Sequence, residues 1–310
     1  MLKGMNQEAN HQKTSRNGWV FLVSILGAVL LGTLIAPHVF NGLLSLGRTH
    51  EGWSGLRNLE FDSVTGRCVL VCLVLSLIPA LRITGMYTPS SLGFARVDQG
   101  RTLWFRGLIM GVVSLLLVVL IGWASGAYFL HVDDKIKDVG KVLSIIVGAV
   151  LIGFLEEALF RGLLFGSIRK SSGFWMAALI SSLLFMAVHF AKPEPEVTPV
   201  YGDWKSGLEM FKHMFYTGHH ISHYFPFMLT LFLMGVVLCL VYERQGSILM
   251  AVGLHTGWVI VIRLSGYYFN RDSNELPLLF GEGELVSKTY LTLIVSIGFL
   301  LYFWRSGKKA

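Results

Sequence analysis

Apolar residues dominate the chain in long blocks separated by short polar intervals. The blocks fall near 18–40, 67–83, 106–128, 140–167, 174–191, 226–242, 247–268 and 288–304. Each is close to the roughly 20 residues that an α-helix needs to cross the hydrocarbon core of a bilayer. The pattern predicts an all-α fold, a polytopic bundle of about eight transmembrane helices. Three stretches are distinguished along it. Residues 1–139 hold N-terminal membrane helices and a cytoplasmic linker, 140–268 a core with a long non-cytoplasmic insert at 192–225, and 269–310 a loop and the last helix. No internal repeat, low-complexity tract or Gly/Ser linker divides them.

Composition agrees with the pattern. Of 310 residues, 53% are hydrophobic and 15% charged, and the mean hydropathy is +0.60, well outside the balance of a soluble domain. The formal net charge of +7 is accounted for by topology. With the N-terminus cytoplasmic, Lys13, Arg16, Arg96, Arg101, Arg106, Arg169, Lys170, Arg244 and Arg305 gather in short loops on that side, against Glu8, Asp98 and Glu243. That is the positive-inside pattern, and it predicts both termini in the cytoplasm, with a bacterial inner membrane as the natural setting. No nucleic-acid partner is needed to explain the basic balance. The first block follows Lys13 and Arg16 and is longer than a signal-peptide core, so it reads as a retained anchor. Cys68, Cys72 and Cys239 lie in apolar runs with no metal-ligand spacing and suggest packing residues rather than disulfides.

The insert carries Pro193, Pro195 and Pro199, then Trp204, Leu208, Phe211 and Phe215 at helical spacing, with Lys205, Glu209 and Lys212 on other faces. This predicts a short helix in the membrane interface. His213, His219, His220 and His223 follow; four histidines suit a transition metal, but Gly218 interrupts the helix that would align them, and a polar surface loop is the simpler reading.

The fourth block contains "GFLEEALFRGLLFG", residues 153–166, with two glutamates and an arginine among apolar residues. An ionisable group in a membrane helix is costly and by default marks a functional site. Glu157 and Arg161 stand at i, i+4 and can neutralise each other. Glu156 points about 100° away, a step of one residue around the helix, and needs a partner on another span. Candidates are His189, one turn after Phe185 in "FMAVHF", and His255 in "VGLHTGW". Such residues often serve only to hold a bundle together. A carboxylate beside an imidazole can also deprotonate a water, while a second imidazole donates to the oxygen of an attacked carbonyl. Together they suggest amide hydrolysis.

The ordered set Glu156-Glu157-x-x-x-Arg161, Phe185-x-x-x-His189 and His255 resembles the motifs of the CPBP intramembrane proteases, the group of CAAX prenyl endopeptidases and bacteriocin-processing membrane proteins. The resemblance covers roughly 140–262. It implies that Glu156 activates water, that His189 assists, that Glu157 and Arg161 support them, and that His255 stabilises the oxyanion. One position departs: the family commonly has Asn four residues after this histidine, where this chain has Val259. Trp258 N–H, one position earlier, is a candidate replacement donor. HExxH is absent, and zinc held by two histidines and Glu156 would leave no evident general base, so a glutamic mechanism without metal or other cofactor is favoured over a metalloprotease. The expected activity is an intramembrane endopeptidase acting on membrane-associated peptides or protein tails within the lipid bilayer. The alternative is a non-catalytic scaffold or immunity-type binding protein of the same fold.

Overall fold

A computed structural model describes residues 2–94, 97–130, 138–190, 203–214, 221–272, 277–280 and 286–306. Helices account for nearly all of them, in the order α1 (Leu2–Thr49), α2 (Phe61–Thr84), α3 (Gly100–Ala124), α4 (Val139–Glu157), α5 (Gly166–Phe190), α6 (Trp204–Met214), α7 (Ile221–Gln245), α8 (Leu249–Tyr268), the four-residue α9 (Pro277–Phe280) and α10 (Tyr290–Arg305). Two short strands, β1 (Tyr128–Leu130) and β2 (Phe269–Arg271), pair antiparallel with Tyr128 opposite Arg271.

Among the described residues, six helical runs are long and apolar enough to cross a membrane: Asn17–Thr49, Phe61–Thr84, Gly100–Ala124, Val139–His189, Phe225–Gln245 and Leu249–Tyr268. The 51-residue run Val139–His189 covers both blocks expected at 140–167 and 174–191. Between them Gly173, at φ 79° and ψ 171°, leaves helical geometry in a backbone region open chiefly to glycine. The last block corresponds to α10, whose 16 residues make it shorter than the other six runs.

The chain forms two compact units, Met1–Tyr87 with Ala187–Ile221, and Thr88–Met186 with Ser222–Ala310. The division assigns part of the expected 140–268 core to each. In the first unit α1 and α2 pack closely, since a Cβ at Gly32 would meet the backbone of Val69. α2 ends in a left-handed cap at Gly85 (φ 71°), with Met86 N–H donating to Leu81 O, the Schellman arrangement that satisfies the last carbonyls. The expected short helix of the insert is α6. It lies against α1 through Ser206, Gly207 and Met210, while Trp204 is 56% exposed. Gly207 sits on the Thr33 carbonyl, so small residues, and not the Trp204/Leu208/Phe211 stripe, set the packing face. An aromatic ring there would hold the helix away from α1.

In the second unit α3 and α8 form the principal pair. Gly107 and Gly111 on α3 face Gly253 and Gly257 on α8. A Cβ at Gly107 would strike Met250 O and one at Gly253 would strike Trp104 O. Two small-xxx-small faces thus bring the backbones together, the means by which membrane helices gain van der Waals contact where lipid competes with every apolar side chain. Around this contact lie Leu103, Leu115, Leu254, Trp258 and Val261, all buried.

Gly253→Leu should therefore sharply lower folded yield and thermal stability in detergent, beyond the roughly 1–3 kcal/mol of ordinary overpacking, because the obstacle is backbone. Gly66→Leu on α2, where a Cβ meets nothing within 4 Å, should leave both unchanged. Size-exclusion yield and melting temperature of the two variants make the comparison.

Candidate active site

The helix bearing the glutamates changes geometry where they occur. α4 ends at Glu157, and Ala158–Phe165 continue as a π-helix before α5 resumes. Such widened turns are rare and concentrate at functional sites. Nothing in the residue pattern announced this one. Its buried carbonyl Phe160 O accepts a hydrogen bond from Ser181 Oγ of α5 at 2.9 Å, which ties the two segments together.

Glu157 and Arg161 are both 0% exposed, and Arg161 Nη1 donates to Glu157 Oε1 at 2.9 Å. The pair expected from spacing is formed. Arg161 Nη2 also donates to Gly235 O of α7 at 3.3 Å, and its guanidinium lies over the Phe185 ring, 4.5 Å from the centroid. A planar cation that uses its several donors and its face together is suited to burial. Gly235 could not have been found from sequence, because the contact uses a backbone carbonyl.

His255 is buried on α8, and its Nδ1 lies 2.9 Å from Glu157 Oε1. Its nearest carboxylate is therefore Glu157, a contact in addition to the candidate pairing with Glu156. The imidazole turns its other nitrogen to Glu156, with Nε2 to Oε2 at 3.9 Å. Phe185 packs edge-on against the same ring, centroid to centroid 5.7 Å. With Glu157 ionised, Nδ1–H donates to it, which fixes the ring's orientation and leaves Nε2 directed toward Glu156. α8 approaches α4 closely at this level, where Gly153 faces Thr256 Oγ1. The Glu156 side chain is 28% exposed, so the two adjacent glutamates have separate surroundings: one is sealed among partners and the other is accessible.

The remaining expected residues are placed as follows. Trp258 is 2% exposed and its Nε1–H donates to Ser114 Oγ of α3 at 3.2 Å. Indole has a single donor, and here it links α8 to α3 and does not serve the carboxylate cluster; the proposal of a second oxyanion donor at this position is corrected accordingly. Val259 follows it, half-buried. His189 stands one turn beyond Phe185 near the end of α5, in the segment that belongs to the first unit. The side chains of His213, His219, His220 and His223 lie outside the described residues. Among the described residues no three His, Cys, Asp or Glu gather into a metal-ligand set.

The geometry makes Arg161 the counter-charge of a sealed carboxylate. Arg161→Ala should cost about 3–5 kcal/mol, the range for breaking a buried pair, and appear as a large drop in melting temperature and folded yield. Removing both charges in Glu157→Gln/Arg161→Met should cost less than Arg161→Ala alone. Thermal melts of the three proteins in one detergent test this ordering.

Residues 138–261 match the family described as type II CAAX prenyl endopeptidase Rce1-like. No curated protein and no solved structure matches the chain. The matched segment spans the glutamate pair, Arg161, Phe185, His189 and His255, the residues that carried the resemblance in the sequence. Over residues 138–261, then, the chain matches a Rce1-like domain, consistent with an intramembrane protease of the CPBP type.

Proposed function

We propose that the protein is an intramembrane endopeptidase of glutamic type, with Glu156 as the base that activates water. The observation that carries this reading is the separation of roles between neighbours. Glu157 is fully buried between Arg161 and His255, while the Glu156 side chain is partly exposed and turns Oε2 toward His255 Nε2 at 3.9 Å. A water bound at Glu156 loses a proton to the carboxylate as its oxygen attacks the peptide carbonyl. The proton then passes to the departing amine as the C–N bond breaks. His255, held at Nδ1 by Glu157, donates from Nε2 to the developing oxyanion when it is the imidazolium. His189 assists at the water, by the position it holds in the family's ordered motifs.

The substrates are peptides or protein tails at the membrane. A peptide in a bilayer helix keeps its carbonyls hydrogen-bonded, so the bond cleaved lies in an unwound stretch or near a helix end. A prenylated CAAX tail is the substrate specified by the description of the family matched; leader peptides and sorting-signal tails offer the same chemistry. The charge asymmetry supports a cytoplasmic position for both termini, with a bacterial inner membrane as the proposed setting. A reporter fused after Ala310 should be active on the cytoplasmic side only, and activity on the opposite side would reverse the topology.

The test is a panel of membrane-anchored peptides incubated with the purified protein and analysed by mass spectrometry. Wild-type protein should cleave at least one. Glu156→Gln keeps the side chain's size but removes the base, so it should fold normally while cleavage falls by at least about 10²-fold. His189→Ala should lose a comparable amount, and the double variant much less than the product of the two, because groups acting as one unit are non-additive. Near-normal cleavage by Glu156→Gln would sink the glutamic mechanism.

A further inference from the structure

A serine of α5 spends its hydroxyl differently from many others in the membrane helices. Ser24, Thr65, Thr84, Thr230 and Ser296 each donate to the carbonyl four residues earlier in their own helix, the local bond by which a helical hydroxyl satisfies itself. Ser181, which is 0% exposed, donates from Oγ to Phe160 O at 2.9 Å, 21 residues back along the chain. The acceptor gives the reason. Phe160 lies in the π-helix Ala158–Phe165. In an α-helix each N–H reaches back four residues and in a π-helix five, so the carbonyl ladder falls out of step where the two meet. The longer step is visible at the end of the segment, where Gly166 N–H donates to Arg161 O. The carbonyl immediately before that one, Phe160 O, receives the serine hydroxyl. The hydrocarbon core offers no water to a carbonyl put out of step, so a fixed hydroxyl at this position favours the widened turn over a regular one.

The same helix grips residue 160 a second time. One turn after Ser181, Phe185 packs edge-on against the Phe160 ring, with centroids 5.4 Å apart and planes at 88°. The adjacent Ser182 is where α7 comes in: a Cβ at Gly235 would lie 2.8 Å from Ser182 Cβ. A small side chain there lets Gly235 O reach Arg161 Nη2. The buried thiol of Cys239 on α7 lies against both hydroxyls. Ser181 therefore sits where α5, α7 and the π-helix meet.

We propose that Ser181 is a positioning residue, which holds the π-helical turn in the phase that seals Glu157 and leaves Glu156 partly exposed. Its effect on cleavage rests on the glutamic mechanism proposed above; its effect on helix phase does not. Both glutamates immediately precede the turn, and Arg161 stands inside it. Return to a regular α-helix shifts the ladder by one residue, a rotation of about 100°. With the later part of the helix held by α5 and α7, that rotation falls on the glutamates and changes which of them His255 meets. Ser181 acts through the backbone of Phe160 and reaches the chemistry only by this route.

The phase is read by treating the full-length protein in detergent with dicyclohexylcarbodiimide and locating the modified carboxylates by tandem mass spectrometry. Wild type should be modified at Glu156 and spared at Glu157. Ser181→Ala should melt close to wild type yet lose this selectivity, and Ser181→Thr, which keeps the hydroxyl, should retain it. On any peptide that wild type cleaves, Ser181→Ala should lower kcat about tenfold, the scale of one buried hydrogen bond, at unchanged KM. Wild-type selectivity in Ser181→Ala would overturn the proposal, as would a wild type in which Glu156 is not the modified member of the pair. A selectivity lost only together with the melting temperature assigns Ser181 to packing and overturns it too, as does its loss in a Ser181→Thr protein that melts normally. If wild type cleaves no peptide, the protease reading fails while the modification pattern still decides the role of Ser181 in helix phase.

Discussion

The second unit is organised around one buried negative charge. Glu157 is an ionisable group sealed in the interior, and such a group is tolerated only with a counter-charge and satisfied hydrogen bonds. Arg161 supplies the charge from the next turn, and His255 supplies a second contact from α8. Each partner brings its own requirement. Arg161 reaches the Gly235 carbonyl on α7 and the face of Phe185 on α5, and His255 must enter from a helix close enough to α4 that a Cβ at position 153 would crowd Thr256 Oγ1. The glycine faces that press α8 onto α3 hold that helix in place. Helix packing and charge burial are two parts of a single constraint.

That constraint also distributes chemistry between neighbouring glutamates. Successive residues on a helix point in directions about 100° apart, so a pair of carboxylates in sequence can serve two environments at once. The sealed member orients an imidazole through Nδ1, and the accessible member faces the nitrogen that remains. The order carboxylate, imidazole, reacting group is the one by which hydrolases fix a histidine's tautomer and steady its charged form. Here the orienting carboxylate is itself paired with Arg161.

Much of this was legible in the residues, and what was not has physical reasons. Apolar block length specified the membrane helices, and i, i+4 spacing specified the Glu157–Arg161 pair, because both are local properties of one helix. His255 was legible as a candidate partner of Glu156, which it faces at 3.9 Å, but its closer contact with Glu157 at 2.9 Å was not, since which of two adjacent carboxylates meets a side chain on another helix depends on helix rotation. Trp258 was expected at the site because it is close in sequence to His255. Its ring instead points to α3, as its bond to Ser114 requires. The short helix at 204–214 was legible from its apolar spacing, whereas its packing face was not, because close approach to α1 selects Gly207. The paired glycines at 107/111 and 253/257 were readable from spacing alone and would have identified α3 and α8 as neighbours.

Val259 gives the arrangement its last consequence. A side chain there that could donate would share the oxyanion with His255. Valine has no donor, and the adjacent Trp258 has committed its N–H to Ser114. Among the residues that the sequence nominated for that role, His255 is left, and it can donate from Nε2 only in the protonated form once Nδ1 is committed to Glu157. In the proposed mechanism, stabilisation of the transition state therefore passes through Glu157, a residue that never touches the substrate. The carboxylate on which the fold is centred is then also the one that orients His255, so changes that loosen its pairing act on structure and on chemistry together.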